Sequence, residues 1–422
     1  MSSRWRNLGA HGGPALWWFL PSAVLMMILL YVSFLQDPSV TPLSGGKAQA
    51  LLEARLTRME NETRVTVTPK ARAKTTAARA SARSPKDVQA SSGPEAGDKY
   101  RMDAGIPPTT CPGSLKVKAA ASPWLGSLFL PNVTLFLDSE HLDPEEWERL
   151  RRYNPPFGFL ELNRSLVQSV VAHFPPGPPR QLLAGLARGN PPCVRCAVVG
   201  NGGSLNGSRK GQEIDGHDYV FRVNGALTRG FERDVGNRTS FYGFTAFSLT
   251  TSMASLGRRG FPHAPQGKDV HYLHFLENSR DYTWLQALLL DQPLRENKLA
   301  WFRRRPREAF PDDFSLDRYH LLHPDVLRYM KNRFLRSKTL DSRHWRLYRP
   351  TTGALLLLTA LQLCDQVSAY GFITEGHSRF SDHYFDLSWK RTVFYINHDF
   401  NLEKQLWKRL HEEGIIQLHQ RR

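Results

Sequence analysis

The chain has 422 residues, with 56 Lys and Arg against 39 Asp and Glu for a formal net charge of +17, and it is 41% hydrophobic and 11% aromatic. That length excludes one ordinary core filling the whole chain, since a single core rarely grows past about 250–300 residues, while the apolar content is ample for a packed domain. The charge invites a nucleic-acid partner, and the clusters Arg149, Arg151, Arg152 and Arg303, Arg304, Arg305 invite it further; the membrane topology argues against it.

From Ala15 to Leu35 the sequence carries no charge and includes Trp17, Trp18, Phe19 and a series of Leu, Met, Ile and Val. A bilayer core requires about 20 such residues, so the segment predicts a membrane span. A cleaved signal peptide is the alternative, but the run is too long for its apolar region and no small-x-small cleavage site closes it. Arg4 and Arg6 precede the run and Asp37 is the first charge after it, which leaves residues 1–14 as a cytoplasmic tail and the body in a lumen, a type II signal anchor. A lumenal body meets no nucleic acid. The positive charge is then a solvated surface, or an attraction for anionic donors and glycoproteins.

Residues 36–110 are rich in Ala, Ser, Thr, Pro, Lys and Arg. They bury too little apolar surface to offset the entropy of ordering, and predict a flexible stem that holds the globular part away from the membrane. Acceptor-type tripeptides for N-glycosylation begin at Asn61, Asn132, Asn163, Asn206 and Asn237. Cysteines 111, 193, 196 and 364 are even in number and none lies in the anchor, which suits two disulfides in an oxidising compartment. A zinc site is the competitor for Cys193-Val-Arg-Cys196, but no second close-spaced Cys or His pair completes it.

Cys111 marks the start of the folded part, residues 111–422. Asp143-Pro144-Glu145-Glu146 has the capping residue, the proline and the acidic first turn of a helix, predicted to reach Tyr153. Phe159 to Phe174 predicts a second, amphipathic helix, and prolines from Pro175 to Pro179 break the chain. Beyond them, short apolar runs alternate with helical patterns: Cys196 to Val199, Tyr219 to Val223, Val270 to Phe275, Val367 to Phe372 and Val393 to Ile396. Alternation of this kind predicts an α/β domain with a largely parallel sheet.

Four segments carry candidate chemistry. Cys196-Ala-Val-Val runs into Gly200, Asn201, Gly202 and Gly203, and Asp218-Tyr-Val-Phe-Arg-Val-Asn224 follows. Glycines after a strand let backbone amides approach a phosphate, and the amides of Asn201 and Asn224 suit nucleotide oxygens. The spacing is not that of a dinucleotide fingerprint, and a glycine-rich turn after a strand is more often just a tight turn. Arg349-Pro-Thr-Thr-Gly353 opens the apolar stretch Ala354 to Leu363; Thr351 or Thr352 can cap a helix there, and Gly353 leaves the N-terminus open to an anion. His383-Tyr-Phe-Asp386 and His398-Asp-Phe-Asn-Leu-Glu403 each hold a histidine, a residue type that taken alone is usually structural.

In this order the four segments resemble the sialylmotifs of the animal sialyltransferase family, a likeness that covers essentially all of residues 190–422. Within the family, Arg349 to Thr374 and the ending Trp407 to Ile416 look closest to enzymes that place sialic acid on GalNAc. The resemblance implies a GT-A-like variant of a Rossmann-like fold, a Golgi location, and an inverting, metal-independent transfer from CMP-sialic acid to O6 of GalNAc in mucin-type glycoproteins. Sialylated core 1 and terminal galactose are the alternative acceptors. No cofactor is expected, in agreement with the lack of an Asp-x-Asp sequence.

The resemblance also implies a disulfide from Cys196 to Cys364, leaving Cys111 and Cys193 as the second pair and tying the two donor-binding motifs together. Asn201 and Asn224 would bind CMP, Thr351, Thr352 and Gly353 would line the phosphate and sugar subsite, His383 would donate to the phosphate, and His398 would be the base. Glu403 fits the first turn of a helix, where the dipole favours it regardless of chemistry. A membrane-mounted lectin-like module explains the anchor and the glycosylation signals equally well, but needs neither histidine.

Overall fold

The computed structural model describes residues 99–421 except 105, 107, 177–192 and 295–304. The Ala15–Leu35 segment, most of the stem, Asn61, Arg303 and Arg304 lie outside the described residues, among which no helix is long and apolar enough to cross a membrane.

Among the described residues seven strands form one sheet, β1 (Arg195–Val199), β2 (Tyr219–Val223), β3 (Phe241–Phe244), β4 (His271–His274), β5 (Tyr319–Leu321), β6 (Gln366–Tyr370) and β7 (Ile416–Leu418), in the order β5-β4-β3-β2-β1-β6-β7. Every pairing is parallel. Parallel sheets need crossovers that cover both faces, so their strands are buried along their length, as β2 is, with all five residues buried, Arg222 included. Successive side chains point to opposite faces: Cys196, Val198, Phe221 and Leu273 enter one core, Ala197, Val199, Val220 and Tyr272 the other.

The helices that matter for the site are α1 (Leu115–Ala121), α2 (Pro144–Leu150), α3 (Arg164–Val171), α4 (Ala246–Leu256), α5 (Ser279–Leu289), α6 (Thr352–Leu363) and α7 (Phe400–Glu412). In α6 every residue from Ala354 to Leu363 is buried, the pattern of a helix enclosed on all sides. Leu406, Trp407 and Leu410 of α7 join the same core. Helix α2 begins as the sequence predicts, with the Asp143 side chain accepting from Glu146 N and Pro144 in the first turn, but it ends at Leu150 rather than Tyr153. The amphipathic run from Phe159 yields only α3, because Asn163 caps the helix at Arg164 by accepting from Leu166 N.

Val393 to Ile396 also departs from the sequence expectation. Its aromatic and β-branched residues read as a strand, yet it is irregular, and Tyr395 and Ile396 are 62% and 58% exposed. The place beside β6 is taken by the shorter Ile416–Leu418. Strands β5 and β7 escape the sequence because three residues carry too little periodicity, and β3 because Gly243 interrupts an already short run.

Both disulfides form, Cys111–Cys193 and Cys196–Cys364, which removes the zinc reading of Cys193 and Cys196. The second bridge joins the start of β1 to the C-cap of α6. It therefore lies at the end of both elements away from Gly200 and Thr352, and does not clamp those two together as expected. The basic cluster at Arg149 is also occupied: its guanidinium pairs with Glu146 and Asp325, and Arg151 pairs with Glu148.

Candidate active site

In an open parallel sheet, ligands bind beyond the C-terminal strand ends where the strand order reverses. Here that point lies between β1, from which the order runs outward to β5, and β6 on its other side. The loops leaving these two strands, Gly200–Ser204 and Gly371–Thr374, line a cleft of about 410 Å³, within the usual size of a small-molecule site. Asn201, Asn224, Thr351, Thr352, Gly353, His383, His398 and Glu403 line the same cleft. All the residues singled out for chemistry are thus brought together, although they span two hundred positions of the chain.

The glycines serve a different purpose from the one their sequence suggests. Gly200 N and Gly202 N donate to the carbonyls of Tyr370 and Gly371 at 2.8 and 2.9 Å, so these two amides are not free for a phosphate. A Cβ on Gly200 or Gly202 would stand 2.7 or 2.6 Å from Gly371 O, and on Gly203 2.0 Å from Ser381 O. The glycines let three backbone segments touch. Asn201 Nδ2 donates to Val223 O at 3.0 Å, and Asn224 sits at φ +54° at the end of β2, a conformation asparagine tolerates. The Oδ1 atoms of both are buried and unpartnered. Unmet acceptors of this kind suit hydroxyl or amino groups of a ligand.

Thr351 caps α6, its Oγ1 accepting from Ala354 N at 3.0 Å. Thr352 and Gly353 then open the helix with N–H groups that have no acceptor inside it, a setting that favours an anion. Glu403, buried in the first turn of α7, accepts from Thr351 N and Thr351 Oγ1, both at 2.8 Å. The sequence placed Glu403 in that first turn but gave no sign of this tie. Burial pushes its carboxyl up to about 7, against the two Thr351 hydrogen bonds that pull it down. A carboxyl with a raised folded-state value holds a proton that the unfolded chain releases, so its contribution to stability falls as pH rises from its ordinary 4.5 to about 7. Glu403→Gln should remove up to about 3 kcal/mol of that fall. Thermal melts at pH 5 and pH 7.5 check this; equal losses in both proteins would refute it.

The two histidines differ. His383 is half-buried, stacked on Phe385 with ring centroids 5.0 Å apart, its Nδ1 3.3 Å from Asp382 and its backbone N–H bonded to Asp386 at 2.8 Å. His398 follows an exposed loop rather than a strand. Its Nδ1 lies 2.9 Å from Arg349 O and so carries the proton, while Nε2, 3.1 Å from Asn397 Nδ2, keeps its lone pair. Burial holds its pKa below the ordinary histidine value, the Arg349 guanidinium adds to this, and the bond to the Arg349 carbonyl opposes it. The neutral form with a basic Nε2 is favoured near neutral pH.

Among the described residues, the group with metal-ligand spacing is Glu146, His323 and Asp325. None of them lines the cleft, and guanidiniums of Arg149 and Arg328 already hold the carboxylates. Of the glycosylation signals, Asn163 and Asn237 are exposed and Asn132 is half-buried. Asn206 Nδ2 donates to Tyr384 O at 2.8 Å, so the atom that a glycan would modify is engaged beside the cleft.

Residues 136–415 match the family described as glycosyltransferase family 29 (sialyltransferase). The chain belongs to that family. It is 68% identical over 325 residues to human alpha-N-acetylgalactosaminide alpha-2,6-sialyltransferase 1, covering 77% of this chain and 54% of that one. It is 44% identical over 311 residues to the human type 2 enzyme of the same name, covering 74% of this chain and 83% of that one. The chain thus spans little more than half the length of the type 1 relative. The fold matches a crystal structure of a mammalian sialyltransferase with a TM-score of 0.50 at 22% identity, over 75% of this chain and 100% of that one, which supports the α/β architecture.

Proposed function

We propose that this chain transfers sialic acid from CMP-sialic acid to O6 of GalNAc linked to Ser or Thr in mucin-type glycoproteins, with inversion and without a metal. The observation that carries the reading is the cleft at the strand-order reversal, lined together by two unmet amide acceptors, an open helix N-terminus and a neutral histidine whose Nε2 keeps its lone pair beside Asn397 Nδ2. In this reading Asn201 and Asn224 take the nucleoside, Thr351, Thr352 and Gly353 take the phosphate and sugar, and His383 donates to the departing phosphate. His398 Nε2 accepts the proton of the GalNAc hydroxyl as its oxygen attacks the anomeric carbon. The bond from that carbon to the CMP phosphate breaks, and CMP leaves. Glu403 acts behind these groups by holding Thr351. Support for the acceptor comes from the names of the type 1 and type 2 relatives.

The wider reading is of a GT-A-like lumenal catalytic domain, residues 111–422, on a flexible stem and a type II anchor in the Golgi membrane, with the bilayer as a further partner and no nucleic acid. Asn61, Asn132, Asn163 and Asn237 are the proposed glycan acceptors, with Asn206 disfavoured by its hydrogen bond.

The test is to incubate the chain with CMP-sialic acid and acceptors bearing O-linked GalNAc, sialylated core 1 or terminal galactose, with and without EDTA. The expected product is sialic acid on O6 of GalNAc, undiminished by the chelator. Transfer only to galactose would refute the acceptor, loss in EDTA would refute metal independence, and glycan binding without consumption of donor would favour the lectin-like module.

A further inference from the structure

The loop that carries His398 has no strand to hold it. Val393 to Ile396 is irregular and exposed, and α7 begins only at Phe400. The imidazole is tied to the main chain of Arg349, whose N–H donates to Asn397 O at 3.0 Å and whose carbonyl accepts from His398 Nδ1 at 2.9 Å, while Asn397 Nδ2 lies 3.1 Å from Nε2 and the Phe400 ring meets the imidazole edge-on. Arg349 is in turn held from the far side. Its Nε lies 2.8 Å from Glu277 Oε1, an ion pair rather than an aligned hydrogen bond, with the Glu277 side chain 13% and the Arg349 side chain 32% exposed. Glu277 leaves the C-terminal end of β4, just before Asn278 caps α5.

We propose that Glu277 is a positioning residue for the transfer reaction: by anchoring the Arg349 side chain, it holds the Arg349 carbonyl in place and thereby sets the direction of His398 Nε2. The inference rests on the reading of His398 as the base.

The charges around Glu277 make the link directional. The charged groups facing it are Arg349 and Asp281. Asp281 is itself taken up by Ala246 N at 2.9 Å and by His274 Nε2 at 3.2 Å. Burial pushes the Glu277 carboxyl up to about 7, and Arg349 is the cation that opposes this by favouring the ionised form. The ionised Glu277 is what keeps a partly exposed guanidinium turned inward. Without Glu277 the guanidinium gains by swinging into water, since an unpaired charge is poorly accommodated at a half-buried site. The main-chain groups of Arg349 move with it, and the His398 bond loosens. The donor-side groups are held by other ties: Thr351 by Glu403, and Asn201 by Val223 O.

The test is a kinetic split in the whole chain. Glu277→Gln should lower kcat by about tenfold to a hundredfold, because small misplacement of a reacting group has effects of that size, and should leave KM for CMP-sialic acid and the calorimetric Kd of CMP within about twofold. Glu277→Asp, which keeps the charge, should recover part of the loss. Arg349→Met should reproduce the loss, and the double variant Glu277→Gln/Arg349→Met should be no worse than the poorer single variant, as expected for two residues acting through one contact. A folded Glu277→Gln with kcat within about twofold of the wild type overturns the proposal. So does a kcat loss matched by an equal loss of CMP affinity, or losses in the two single variants that simply add. If Glu277→Gln does not fold, Arg349→Met decides by the same split, since it removes the other half of the pair. A wild-type chain that transfers nothing from CMP-sialic acid overturns the underlying reading instead, whereas an active wild type with an unaffected Glu277→Gln overturns this inference alone.

Discussion

Replacing His398 by alanine should lower kcat by about 100-fold or more while leaving CMP binding nearly intact, because general-base catalysis contributes roughly 10²–10⁴ and the imidazole is assigned to the acceptor hydroxyl, not to the donor. A sugar hydroxyl is a poor nucleophile near neutral pH, and the group that deprotonates it must itself be unprotonated. His398 meets this requirement through its surroundings: burial favours the neutral ring, and the bond from Nδ1 to Arg349 O leaves Nε2 as the basic atom. The sign of the shift gives a second expectation. A histidine with a lowered pKa stays competent to a lower pH, so the acid limb of kcat should fall below the ordinary histidine value of about 6.5. His383→Ala should instead weaken donor binding as well, because its assigned partner is the phosphate. Steady-state kinetics across pH, with calorimetric binding of CMP, check all three statements. Near-normal turnover of His398→Ala at saturating substrates would transfer the base assignment to His383.

Loss of the Cys196–Cys364 bridge should destabilise the fold by about 2–5 kcal/mol, as removal of native bridges commonly does. That is a large fraction of the roughly 5–15 kcal/mol that separates folded from unfolded domains. Both sulfurs are fully buried, and the bridge closes a sequence separation of 168 residues, so breaking it restores considerable freedom to the unfolded chain. The double variant Cys196→Ala/Cys364→Ala avoids a stray thiol and should show the loss in denaturant melts. Because the bridge joins the ends of β1 and α6 that point away from the cleft, the fraction that remains folded should keep a nearly normal kcat. An unchanged melt would refute the stabilising role. A folded variant with low kcat would mean that the bridge shapes the site after all.

Local residue chemistry makes much of this fold legible in the sequence. The Asp143-Pro144 helix start, the Thr351 cap, the alternation of apolar runs and the even cysteine count each depend on a few neighbouring residues, and each reappears in the fold. The grouping of Asn201, Asn224, Thr351, His383 and His398 was legible because their segments match a known order, although no pairwise rule places them together. Long-range contacts decided the rest. Val393 to Ile396 has the residue types of a strand but no neighbouring edge to pair with, since Ile416–Leu418 occupies the side of β6. The Gly200 loop reads as a tight turn or a phosphate cradle, and its amides at Gly200 and Gly202 are claimed by Tyr370 and Gly371 at the end of β6, about 170 residues away. Glu403 and Glu277 look like ordinary surface carboxylates in the chain. Only tertiary packing buries them, sets one against Thr351 and the other against Arg349, and raises the pKa of both to about 7. Periodicity and capping report the free energy of a single segment, whereas register, desolvation and ion pairing depend on which segments meet.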